Sequence, residues 1–167
     1  MRWARAPFAY AGTGGALVRR LKFDGDFAAG QMLAREMAFA ALPMVRSAAW
    51  RRAVLVGVPL HRSRLRERGF DQAQFLAIEI GRRLNLVVAS GVLRRVRATL
   101  PQGDPRVTSR SSNIDGAFAI RAARAIRGQH VLLIDDVITS GATARACALQ
   151  LQANGAVAVA LVTACQA

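Results

Sequence analysis

Cysteine is scarce in this 167-residue sequence. Cys147 and Cys165 are the two present, and they form neither a CxxC pair nor a disulfide framework. Zinc needs about four donors, and His61 and His130 lie far apart in the chain, so no zinc site is assigned. The expectation is a reducing cytoplasm, with both thiols filling core space. Long apolar runs are missing as well. The longest, residues 156–165, is interrupted by Thr163 and falls short of the roughly 18 residues of a membrane span, so no membrane association is expected. Arg2 and Arg5 are followed by Pro7, Tyr10 and a glycine cluster rather than by the apolar core of a signal peptide. Aromatics make up 6% of the residues, which leaves few platforms for stacking nucleic-acid bases. Acids are few too: 10 Asp+Glu stand against 24 Lys+Arg, a net charge of +14, and Lys22 is the one lysine. An arginine fork grips carboxylates and phosphates, so the excess fits a polyanionic partner, either nucleic acid or a phosphorylated metabolite. A compositional bias toward arginine explains the same excess equally well.

What is present reads as one folded domain over residues 1–167. A hydrophobic fraction of 53% with 20% charge excludes a disordered chain, and this length supports a core without disulfides or metal. Thr13 is placed to cap a short helix through Leu21. Asp24-Gly25-Asp26 marks a turn, and a longer helix with Leu33, Met37 and Ala40 or Ala41 on one stripe follows, ended by Pro43. Residues 53–58 (AVLVGV) form a continuous apolar run closed by Pro59, the pattern of a strand buried on both faces. HRSRLRERGFDQ then reads as a polar, basic loop before a helix over 71–84. Short strands are predicted at 87–88, 91–93 and 117–120. Longer ones are predicted at 130–135 and 157–162, flanking a helix over 140–153 that Gly155 stops. Residues 94–113 show no periodicity, and a loop of that length is usually functional. Strands alternating with helices predict an α/β fold with a central, mostly parallel sheet.

The segment VLLIDDVITSGAT, residues 131–143, carries the most chemistry. An apolar strand brings Asp135 and Asp136 to its C-terminal end, where α/β sheets bind ligands. The next turn opens a helix whose free N–H groups and dipole suit phosphate. Gly141 allows close backbone approach, and Thr139, Ser140 and Thr143 add hydroxyl donors. Two carboxylates can accept hydrogen bonds from a sugar diol and help organise a divalent cation. Diol and phosphate together describe a ribose 5-phosphate site. The plainer alternative is that one acid caps the following helix.

This segment resembles the phosphoribosyl-diphosphate signature of type I phosphoribosyltransferases. LKFDGD (21–26), VPLHRSRLRERGFDQ (58–72), the Arg95, Thr99, Gln102, Arg110, Asn113 spacing and GAF (116–118) are similar to the ComF family, the competence-associated branch. The resemblance runs over roughly residues 10–163. It implies the type I phosphoribosyltransferase fold, with helices flanking the sheet, a small hood or flexible loop, an N-terminal helical hood-like segment (1–50) and an α/β core (51–167). It assigns Asp135 and Asp136 to the ribose hydroxyls, and Thr139, Ser140, Gly141, Ala142 and Thr143 to the 5-phosphate. Leu60, His61 and Arg62 stand where the family's loop holds pyrophosphate. Arg106 and Arg110 stand in the stretch matching the mobile hood loop, which on a second reading is a surface loop without site contact. The cofactor implied is Mg²⁺, held mainly through the substrate. Partners implied are phosphoribosyl diphosphate and, through competence, single-stranded DNA or a competence helicase. Many relatives carry an N-terminal four-cysteine zinc module, and this sequence starts after where it would lie, the module being either lost or trimmed; Asp71 stands where asparagine is usual in the RGFNQ block.

Several residues keep two readings. Arg62, Arg64, Arg66 and Arg68 would share one side of an extended loop, or form a solvated basic surface. His61 is either a general base or a loop histidine with an ordinary hydrogen bond. Lys22 is either a phosphate contact or a helix-end charge. Gly12-Thr13-Gly14-Gly15 is no dinucleotide fingerprint, since Leu17 occupies the third glycine position. There is no Walker A sequence and no nucleophile elbow around Ser63, Ser109 or Ser111.

Overall fold

The computed structural model describes residues 3–97 and 116–167. In chain order the elements are β1 (Ala4–Arg5), β2 (Phe8–Ala9), α1 (Thr13–Asp24), α2 (Phe27–Val45), β3 (Val54–Gly57), α3 (Arg62–Arg68), α4 (Gln72–Leu84), β4 (Leu93–Arg95), β5 (Phe118–Ile120), β6 (His130–Ile138), α5 (Ala142–Ala153) and β7 (Ala158–Gln166). A short 3₁₀ turn, Ala123–Ala125, precedes β6. The main sheet runs β1-β7-β6-β3, with β2 continuing along the same edge of β7, and every pair in it is parallel. β4 and β5 form a separate antiparallel pair.

Alternation along the buried strands explains the layering. Leu132 and Ile134 of β6 face a core shared with α1, α2 and α4, while Val131 and Leu133 face a second core shared with α5 and the β4–β5 pair. Both faces of the sheet are therefore covered, the condition under which parallel strands become continuously apolar. This is the α/β architecture the resemblance implies: a mostly parallel central sheet flanked by helices. The segment read as hood-like adds β1 and β2 to the edge of that sheet and lays α1 and α2 on one face. Both cysteines are buried and unbridged. His130 packs edge-on to Trp50 at 4.9 Å.

Three local expectations need correction. Thr13 is not the cap of α1. Gly12 precedes the helix at φ 79°, and no side chain caps it. Entry is set instead by close packing, since a Cβ at Gly14 would collide with Phe8, and one at Gly15 with the Tyr10 carbonyl. Pro43 does not end α2, which continues to Val45. A proline there removes one N–H, the partner of the Phe39 carbonyl, and Phe39 lies on the solvent face, where water can take that oxygen. The basic loop after β3 contains a helix, α3, and its arginines do not share one side. At about 100° per residue, Arg62 and Arg66 fall on one side while Arg64 and Arg68 fall on another.

Candidate functional site

β6 extends beyond the apolar run to Ile138, so both acids lie within the strand near its C-terminal end. Adjacent strand residues face opposite sides of the sheet. Asp136 accordingly meets α1, where Lys22 Nζ lies 2.9 Å from its Oδ2. The Asp136 side chain is 6% exposed and that of Lys22 20%, so the pair is largely removed from water. Asp135 takes the other face, beside Thr163 of β7 and near Cys147 of α5 and Arg95 of β4. Its Oδ1 accepts from the Asp136 N–H at 2.8 Å. Burial, reinforced by the negative charge of Asp136, pushes the Asp135 carboxyl well above the ordinary carboxylate range. Burial also pushes the Cys147 thiol up, with Asp135 adding to it, and lowers the pKa of Arg95.

After β6 the chain turns through exposed Thr139 and Ser140 to Gly141, whose φ of 72° places it in the left-handed region. Gly141 precedes α5, and no side chain caps that helix with a well-formed bond; Ser140 Oγ is 3.5 Å from the Ala142 nitrogen. By contrast, Asp26 caps α2 and Asp71 caps α4. The first turn of α5 therefore presents free backbone donors. The acids, this turn and Thr143 line one cleft of about 390 Å³, together with Lys22, Tyr10 and Thr163.

The structure thus brings residues 135–143 together. Leu60, His61 and Arg62 do not line that cleft. The Leu60 N–H is held internally by Asp71 Oδ2 at 3.0 Å, and Asp71 Oδ1 accepts from the Gln74 N–H at 3.1 Å. One carboxylate therefore caps α4 and pins the loop after β3, a job that uses two acceptor oxygens where asparagine has one. Burial raises the Asp71 pKa, opposed by these two N–H groups. His61 caps α3: its Nδ1 lies 3.3 Å from the Ser63 nitrogen and 2.8 Å from Ser63 Oγ. Arg62 is exposed. Arg106 and Arg110 lie outside the described residues. Among the described residues no cluster of three or more His, Cys, Asp or Glu could hold a metal, and no helix is long and apolar enough to cross a membrane.

Sequence reasoning left Lys22 between two roles, and the structure pairs it with Asp136. Tyr10 and Thr163 were not singled out. Their only signal is topological: β7 runs beside β6, β2 ends just before Tyr10 and pairs with the opposite edge of β7, and no local motif marks either residue.

No family model matches the chain. It is 35% identical over 105 residues to DNA utilization protein YhgH of Escherichia coli, an alignment covering 63% of this chain and 45% of that protein. It is 30% identical over 129 residues to Competence protein F of Haemophilus influenzae, covering 76% of this chain and 56% of that one. The chain thus spans about half the length of these relatives. The crystal structure of TT1426 from Thermus thermophilus matches with a TM-score of 0.43 and 20% identity, over 80% of this chain and 72% of the other.

Proposed function

We propose that the chain belongs to the ComF family over the region it shares with those relatives, and that it binds phosphoribosyl diphosphate with Mg²⁺ in the cleft at the end of β6. One observation carries this reading: an uncapped helix N-terminus behind a left-handed glycine, directly following two acids, all lining one cleft. The 5-phosphate oxygens accept from the first N–H groups of α5 and from the hydroxyls of Thr139, Ser140 and Thr143. The ribose hydroxyls donate to the strand-end carboxylates, with Asp136 held in place by Lys22.

The donor set fits magnesium. Mg²⁺ is usually bound through one or two carboxylates plus substrate phosphates, and Asp135 and Asp136 supply hard oxygens of that kind beside the cleft. When bound, the ion would screen the negative charge of the pyrophosphate group. In the transfer reaction an acceptor nitrogen uses its lone pair to bond the anomeric carbon. The bond from that carbon to pyrophosphate breaks, pyrophosphate leaves with the electron pair, and the nitrogen's proton passes to solvent. His61 is given no acid–base role, because its Nδ1 is engaged in capping α3.

The test is calorimetry with phosphoribosyl diphosphate, with and without Mg²⁺, on the native chain and on Asp135→Asn/Asp136→Asn. Metal-dependent binding that the double variant loses is the expected result. Absence of binding to well-folded native protein overturns the reading.

A second reading, an accessory role in DNA handling, is favoured by the relatives' names and by the +14 charge. Direct contact with single-stranded DNA predicts an affinity for oligothymidylate that falls steeply between about 50 and 200 mM salt. No binding at low salt removes direct contact and leaves a protein partner, such as a competence helicase, as that reading's content.

A further inference from the structure

Asp71 stands at the same end of the sheet as the two strand acids. β3 and β6 run parallel with Gly57 beside Ile134, and the Val58 N–H donates to the Ile134 carbonyl at 2.8 Å. The loop after β3 therefore leaves the sheet beside Asp135 and Asp136. Asp71 caps α4, which packs on Leu132 and Ile134, the face of β6 that Asp136 shares. Asp71 feels the charge of Asp136, and Asp135 feels that of Asp71.

Two consequences bear on an anionic ligand. The first is charge. Three carboxylates gather at this end, and Lys22, the one cation among the described residues lining the cleft, is committed to Asp136. Arg95 lies near Asp135 but is not part of the cleft wall. The second is the supply of donors. The Val58 N–H is used within the sheet, Pro59 has none, and the Leu60 N–H is bound to Asp71 Oδ2 at 3.0 Å. Residues 58–60 thus keep no backbone donor for a ligand.

Helix α5 leads from β6 to β7, so a phosphate on its first turn lies on the β7 side of the acids. That leaves the β3 side, where Asp71 stands, for the anomeric end of a phosphoribosyl ligand. We infer that Asp71 is a specificity-determining residue: by its charge and by occupying the Leu60 N–H, it withholds affinity from a diphosphate at the anomeric carbon and leaves the 5-phosphate end untouched. The inference rests on the ribose 5-phosphate reading of the cleft. Asparagine at this position can still cap α4 through its one carbonyl oxygen, but it carries no charge and frees the Leu60 N–H. A regained hydrogen bond to a charged group is worth about tenfold in affinity.

The experiment is calorimetry with ribose 5-phosphate and with phosphoribosyl diphosphate, both with Mg²⁺, on the native chain, Asp71→Asn and Asp71→Ser. Serine is also a helix cap, so the two variants remove the charge by independent routes. The native chain should bind the two ligands within about threefold of each other. Each variant should bind the diphosphate about tenfold more tightly and ribose 5-phosphate as before. In ¹H–¹⁵N spectra the Leu60 amide of the variants should shift on adding the diphosphate and stay in place on adding ribose 5-phosphate, a response that a purely structural role of Asp71 does not produce. A preference of about tenfold for the diphosphate in the native chain overturns the inference without any variant. Equal gains on both ligands in the folded variants, or no gain on either, overturn it as well. Binding of neither ligand to the well-folded native chain is failure of the cleft reading itself, and the inference falls with it.

Discussion

Replacing Lys22 with methionine isolates the interaction that ties α1 to the signature strand. The substitution keeps the length of the side chain and removes its charge, leaving the Asp136 carboxylate, 6% exposed, without its partner at 2.9 Å. Removing one member of a buried ion pair costs about 3–5 kcal/mol, because the other charge stays desolvated. Lys22 is 20% exposed, so water can reach the vacated position in part, and the low end of that range, about 3 kcal/mol, applies. Against a typical total of about 5–15 kcal/mol this is a large fraction. With a urea dependence of about 2 kcal/mol per molar, the unfolding midpoint should fall by about 1.5 M, read by circular dichroism. Adding Asp136→Asn removes the stranded charge, and Lys22→Met/Asp136→Asn should recover more than half of the loss. A midpoint shift below about 0.5 M in Lys22→Met, or a double variant no more stable than the single one, would refute a buried, energetically coupled pair.

Three further outcomes follow from the same geometry. The raised pKa of Asp135 means that the folded state binds its proton more tightly than the unfolded state, so its contribution to stability falls as pH rises from about 4 through that raised value. Asp135→Asn should therefore gain on the native chain between about pH 4 and pH 7.5, and equal midpoint differences at both pH values would contradict this. Gly141→Ala forces a Cβ into a backbone at φ 72°, while the nearest side-chain atom, Ile138 Cδ1, lies at an ordinary 3.6 Å. The cost should thus be conformational, about 1–2 kcal/mol, with phosphoribosyl diphosphate affinity reduced in calorimetry. Gly57→Ala places a Cβ 2.9 Å from the Gln74 nitrogen and 3.0 Å from the Ala73 carbonyl carbon, so the first turn of α4 must shift, at about 1–3 kcal/mol in urea unfolding.

The sheet was legible in the sequence because its strands are buried on both faces, and apolar continuity at 53–58, 130–135 and 157–162 leaves few other readings. The strand–acids–loop–helix order of residues 131–143 was legible for the same reason, since each part is local. Helix α3 was not. None of its seven residues is buried, so no apolar stripe marks it, and alternating arginines imitate an extended face. It is held instead by its ends, His61 at the start and left-handed Gly69 at the close. The partner of Lys22 was out of reach because it lies more than a hundred residues away and depends on which face Asp136 takes.

Asp71 shows why a departure from a family pattern needs a structure to be understood. An asparagine there can cap α4 through its single carbonyl oxygen, and its amide group then cannot accept a second N–H. The carboxylate accepts from both Gln74 and Leu60, which fastens the residue after Pro59 to the start of α4. The physical cost is a buried negative charge near Asp136, visible in the raised pKa of Asp71. In this chain, then, the Leu60 N–H is committed to Asp71. A pyrophosphate group in the neighbouring loop would have to draw on donors other than Leu60, and exposed Arg62 is the charge closest to it in the chain.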